Sequence, residues 1–171
     1  MTDFRRQRTD LIVFQALRNL LKTELFSDIT VNQIAQKALI HRNTFYHHFD
    51  DKYNLLHRFI IYSLNEASND VDVSMFSKHP FIVIRGLYDT SYQKIFDFQS
   101  RDAEFSKVFA DCFFELFVQD MQDADNIWAM GKISSILTWN RFNGNPYDMF
   151  NDYLVLDQIF TTKQFPMLDD N

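Results

Sequence analysis

Thr30 to Lys52 reads TVNQIAQKALIHRNTFYHHFDDK, and the reading of this stretch decides the fold. Val31, Ile34, Ala35 and Ala38 recur at the spacing that lines one face of a helix, and Thr30 stands where its hydroxyl can cap the first turn. After a turn at Leu39 to His41 a second helix is expected from near Arg42, with Ile40, Phe45 and Phe49 turned inward. Arg42, Asn43, Thr44, Tyr46, His47 and His48 are then left largely outside. Two short helices joined in this way suit the B-DNA major groove: the N-terminal residues of the second helix reach base edges while flanking groups hold phosphates.

The charges point to the same partner. A net charge of -6 argues by itself against nucleic acid, yet residues 1–58 carry nine Lys/Arg against six Asp/Glu, and the remainder carries eight against seventeen. Four of the five histidines also fall in the first part. A cationic head on an acidic body is the electrostatic form that duplex DNA selects.

Working outward, the chain has 171 residues, 46% of them hydrophobic, and only three glycines and three prolines interrupt it. A sheet-rich fold needs more tight turns than this, so the expected fold is all-α. Residues 4–24 are expected to form a first helix, basic at Arg5, Arg6 and Arg8, with Leu11, Phe14, Leu17, Leu21 and Leu25 facing a core. Residues 51–69 continue from the motif, with Leu55, Leu56, Phe59, Ile60 and Leu64 as their inner stripe. A loop is expected over 69–80 and one helix over 80–99. A further helix carries Phe105, Val108, Phe109, Cys112, Phe113, Leu116 and Phe117. Residues 124–142 and 147–163 form a final pair around Asn143-Gly144-Asn145-Pro146, and a loose tail is expected from Pro166.

Several classes find no support. The single cysteine, Cys112, allows no internal disulfide and builds no thiolate metal site. His41, His47, His48 and His57 include no i, i+4 pair, and no carboxylate or thiol completes a ligand set, so no metal is expected. No Gly-rich phosphate loop and no activated nucleophile occur, so neither cofactor nor catalytic residue is expected. No leader-like segment and no window of about 18 apolar residues is present, so a cytoplasmic protein without a membrane partner is expected.

Thr44-Phe45-Tyr46-His47-His48-Phe49, followed by Lys52 at the opening of the next helix, resembles the TetR family of transcriptional regulators over about Leu11 to Leu56. A looser similarity covers Gly131 to Leu154 through Gly131, Trp139, Gly144 and the Asn145-Pro146 step. The resemblance implies a three-helix helix-turn-helix head at residues 1–50 and a helical body at 51–171. The body would dimerise through about residues 124–164. It also implies base-facing roles for Arg42, Asn43, Thr44 and Asn32, and phosphate contacts for Tyr46, His48, Lys52 and Thr30. His47 lies where the family varies. The implied activity is a homodimer repressing a palindromic operator until a small apolar or aromatic effector enters a cavity within about residues 59–128. Aromatic stripes there serve equally as core. The alternatives are a co-regulator acting through protein partners and, more remotely, a helical small-molecule-binding protein or enzyme. The family usually places Gly where Leu39 stands, in a turn that favours positive φ, and Ser or Thr as a helix cap where His41 stands.

Overall fold

The computed structural model describes residues 2–88, 90–118 and 124–167, with the side chains at 2, 3, 90 and 91 outside the description. In chain order the elements are α1 (Thr2–Leu20), α2 (Val31–Lys37), α3 (Arg42–His48), α4 (Lys52–Ser68), a 3-10 turn (Val73–Met75), α5 (Pro80–Leu87), α6 (Thr90–Gln99), α7 (Ala103–Phe117), α8 (Ala124–Phe142) and α9 (Tyr153–Thr162). All regular structure among the described residues is helical, as the scarcity of turn-forming residues requires. The chain gathers into two compact units, Met1–Ser63 with Thr90–Phe113, and Leu64–Asp89 with Phe114–Asn171.

In the first unit α1 and the residue after it bury Val13, Phe14, Leu17, Leu20 and Leu21, a stripe that begins with Asp10 and leaves Leu11 exposed, contrary to expectation. An acid takes the inward position because two basic partners meet it there, as described below. The helix stops at Leu20, short of residue 24, where tertiary bonds compete for its carbonyls: Gln99 Nε2 donates to Leu21 O at 2.8 Å and to Glu24 O at 2.7 Å. Leu55, Leu56, Phe59 and Ile60 of α4 are buried as their spacing predicts. The Phe14 ring lies 6.0 Å from Phe49 and 5.9 Å from Phe59, tying α1 to the end of α3 and to α4. Such ring pairs contribute about 0.5–1.5 kcal/mol each beyond their area. On α6 and α7, Phe109 meets Phe96 edge-on at 5.0 Å and stacks with Phe105 and Phe113 at 6.2 and 5.7 Å, so these aromatics pack on one another, with Phe105 and Phe113 buried and Phe96 and Phe109 half-buried.

In the second unit α5 packs on α9. Pro80 opens α5, where its missing N–H costs nothing, but the N-cap His79 makes no side-chain cap bond. Asp157 of α9 takes that role: its carboxylate accepts from Phe81 N at 3.2 Å and pairs with His79 Nδ1 at 2.8 Å. The single helix expected over 80–99 is divided at Tyr88, whose backbone is extended and whose ring packs edge-on against Phe150 at 5.6 Å. The last helix begins at Tyr153 and not at 147, because the Asp148 carboxylate captures the N–H groups of Phe150 and Asn151 in a local turn. The loop expected over 69–80 contains the short 3-10 turn, capped by Asp72. Of the expected tail, residues 168–171 lie outside the described residues; before them the Phe165 ring sits 4.8 Å from Trp139.

Candidate nucleic-acid interface

Thr30 and Gln33 close a reciprocal capping box at the start of α2: Gln33 N donates to Thr30 Oγ1 at 3.3 Å and Thr30 N donates to Gln33 Oε1 at 2.8 Å. Gln33 Nε2 donates onward to Glu24 at 2.7 Å, fixing this end of the helix to the segment before it. The other end closes in a Schellman turn, with Ile40 N donating to Ala35 O at 3.0 Å and Leu39 N to Gln36 O at 3.1 Å. That turn needs a left-handed residue, and Leu39 supplies it at φ 55. Its side chain is 92% exposed. Leu39→Gly relieves backbone strain of about 1 kcal/mol but adds unfolded-chain entropy of similar size, so its expected stability change in urea titration is within about 1 kcal/mol of zero. DNA sequence preference should be unchanged. A new footprint gained only by the Gly variant would show that the native turn misplaces α3.

His41 precedes α3 without a side-chain cap bond. Phe45 and Phe49 anchor the helix from beneath, buried 5.5 Å apart, and this leaves Arg42, Asn43, Tyr46 and His47 exposed, with Thr44 and His48 half-buried. Asn32 on α2 is also exposed. Arg42 folds along the helix: Nη2 donates to Tyr46 Oη at 3.1 Å, and the guanidinium lies 5.4 Å from that ring. This bond orients the planar fork without burying it, so its remaining donors are available to a guanine edge or a phosphate.

Two of the expected phosphate ligands are built into the scaffold. His48 Nδ1 lies 2.6 Å from Asp10, and the ring is 13% exposed. Arg58 completes the arrangement by donating Nη2 to the other Asp10 oxygen at 2.6 Å and Nη1 to His48 O at 2.7 Å. A carboxylate only accepts, so Nδ1 carries a proton and the ring's orientation is set. Lys52 Nζ donates to Phe26 O at 3.0 Å and Ser27 O at 2.9 Å and sits 4.7 Å from the Phe26 ring centre. Its third ammonium donor faces the Glu104 carboxylate, 3.7 Å away.

The same segment is held from behind by the corner between α6 and α7. Gln99, with no exposed surface, accepts from Phe26 N at 3.0 Å while donating to Leu21 O and Glu24 O. Asp102 accepts from Ser27 N at 2.8 Å and also caps α7 through Glu104 N and Phe105 N. Burial alone raises the Asp102 carboxyl, but the Ser27, Phe105 and Glu104 hydrogen bonds outweigh it and hold the group below the ordinary carboxylate value. Tyr53 Oη donates to Glu104 at 2.8 Å, and this bond raises the phenol above its usual value. The residues that sequence reasoning missed are therefore Asp10, Arg58, Gln99 and Asp102. Only Asp10 carried a local signal, as an acid in phase with an apolar stripe.

No helix among the described residues is long and apolar enough to cross a membrane. No curated protein matches the chain. Residues 14–59, from the inner face of α1 through the first half of α4, match the family model of bacterial regulatory proteins, tetR family. Residues 14–59 are thus a tetR-type helix-turn-helix domain, and through it the chain is a TetR-like DNA-binding transcriptional regulator.

Proposed function

We propose that the protein is a cytoplasmic homodimeric repressor that occupies a palindromic operator through one head per protomer. In this reading residues 1–50 bind DNA, residues 51–171 dimerise, and a small apolar or aromatic effector held within about residues 59–128 releases the operator. The protein is a regulator and not an enzyme. The observation that carries the reading is the outer face of α3, where Arg42, Asn43, Tyr46 and His47 stand exposed on a helix pinned by Phe45, Phe49, Asp10 and Arg58. Arg42, Asn43 and Thr44, with Asn32, face bases; Thr30, Tyr46, His48 and Lys52 hold phosphates; His47, exposed beside them, takes whichever contact the operator offers.

Footprinting on the promoter beside its own gene, across a salt series, tests this. Arg42→Ala is expected to relax sequence preference by about 1–3 kcal/mol at the position it reads. Lys52→Ala is expected to weaken binding to every sequence alike and to flatten the salt slope by about 0.9. If Lys52→Ala changed base preference and spared the slope, these roles would be wrong. A second reading, a co-regulator that works through protein contacts, is favoured by one feature, the exposed Leu39 at the tip of the turn. It predicts no footprint and a partner lost on Leu39→Gly.

A further inference from the structure

We infer that Asp10 is a positioning residue that makes the phosphate contact of His48 proton-coupled: each head takes up one proton, at His48 Nε2, when it closes on the DNA backbone. This coupling deepens the DNA-binding reading of α3 and rests on it. His48 Nδ1 lies 2.6 Å from one Asp10 oxygen, and a carboxylate only accepts, so the ring's first proton is committed to Nδ1. No described residue bonds Nε2, and it is not a buried nitrogen, so it opens to solvent at the last residue of α3. In the neutral ring that nitrogen is a bare lone pair. A phosphate oxygen also only accepts, so the two repel until a solvent proton adds to Nε2 and the imidazolium donates from both nitrogens.

Arg58 completes the arrangement. Its Nη2 donates to the other Asp10 oxygen at 2.6 Å and its Nη1 to the His48 carbonyl at 2.7 Å, so the carboxylate charge is shared between α4 and the ring. A phosphate brings a further negative charge to the open side of the imidazole, and that charge favours the imidazolium in the bound state. Among the described residues no other ionisable group is in contact with the ring. On α1, Arg6, one turn before Asp10, is exposed, and so is Lys37, the one ionisable side chain of α2. On α3 itself Arg42 turns to Tyr46 and His47 is exposed, while Tyr62 of α4 packs on Phe14 with ring centres 5.4 Å apart. The proton-coupled contact adds affinity alone and leaves base selection to Arg42, Asn43 and Thr44.

The test uses the full chain and a mixed-sequence duplex of about 30 base pairs, because phosphate contacts need no operator. Between about pH 6 and 8.5 the wild-type log K should fall as pH rises, by up to about one per pH unit for each head bound. His48→Gln, whose amide donates to phosphate at any pH, should bind with a flat profile. His47→Gln, which removes an exposed imidazole from the same helix, should keep the wild-type slope. Asp10→Asn should be flat as well: the Arg58 N–H requires the amide oxygen, so the amide NH2 faces Nδ1 and the neutral ring carries its proton on Nε2, ready to donate. Nitrogen-15 spectra of the free chain at about pH 8.5 should show the Nδ1–H tautomer of His48 in wild type and the Nε2–H tautomer in Asp10→Asn, a reversal that loss of packing does not produce. A flat wild-type profile, a slope that survives His48→Gln, or an Nδ1–H tautomer retained in Asp10→Asn overturns the coupling and leaves the α3 reading standing. A slope lost in His47→Gln overturns it too, since the proton would then belong to that ring. If Asp10→Asn does not fold, His48→Gln and the wild-type spectrum decide. A wild-type chain with no salt-dependent affinity for the duplex at about pH 6 removes both the coupling and the DNA-binding reading.

Discussion

Gln99→Leu is expected to destabilise the first unit by about 3 kcal/mol. The amide is fully buried and serves the Phe26 N–H and two carbonyls, of Leu21 and Glu24. Leucine matches its bulk and satisfies none of the three, and each orphaned group costs about 1–3 kcal/mol less whatever water recovers. In urea the midpoint should fall with the m-value unchanged, and the amides of residues 21–27 should lose hydrogen-exchange protection first. DNA affinity should fall as well, because this segment places the N-terminus of α2. A loss under about 1 kcal/mol would mean that the bonds to Gln99 are replaced by water and hold nothing.

Asp102 makes the same corner sensitive to acid. Its carboxyl is held below the ordinary value, so the stability it contributes is fully present above the unfolded value, about 3.9, and is lost as pH falls through the folded one. The difference in Tm between wild type and Asp102→Asn should therefore be constant near neutrality and shrink below about pH 4.

The helix-turn-helix was legible because its rules are local: a cap at Thr30, apolar spacing through Ile34 and Ala35, and a turn whose left-handed residue falls at Leu39. The inner stripe of α4 follows from the same periodicity. What could not be read was tertiary. The end of α1 depends on a glutamine 78 residues away, and the start of α5 on an aspartate of α9. Tyr88 divides the helix expected over 80–99 because its ring has a partner in Phe150, which no window of sequence contains. Among the site residues, exposure at Arg42, Asn43 and Tyr46 was visible from helical phase. The anchoring of His48 and Lys52 was hidden, since a family pattern names a position without naming its partners.

Trp128→Glu/Phe142→Glu is expected to convert the proposed dimer into monomers. On α8, Trp128, Gly131, Ser135 and Phe142 follow one line at steps of three, four and seven, the seam along which two helices meet. Trp128 is 71% and Phe142 82% exposed, and a methyl built on Gly131 would meet nothing within 4 Å, so the protomer itself buries neither ring and packs nothing on the glycine; Phe142 meets only the Arg141 guanidinium at 5.9 Å among the described contacts. Large aromatics left bare at both ends of a small-residue centre are costly unless a second copy covers them, and each such anchor contributes about 2 kcal/mol or more to an interface. Losing both should weaken association on the order of 1,000-fold. Gly131→Ala separates an interface from a bare surface. On an uncovered helix it raises stability by up to about 1 kcal/mol, whereas across a close helix pair it weakens the dimer. Sedimentation at micromolar concentration reads both variants. A wild-type monomer, or a dimer untouched by the double substitution, would place the dimer face elsewhere and with it the spacing of the two heads on DNA.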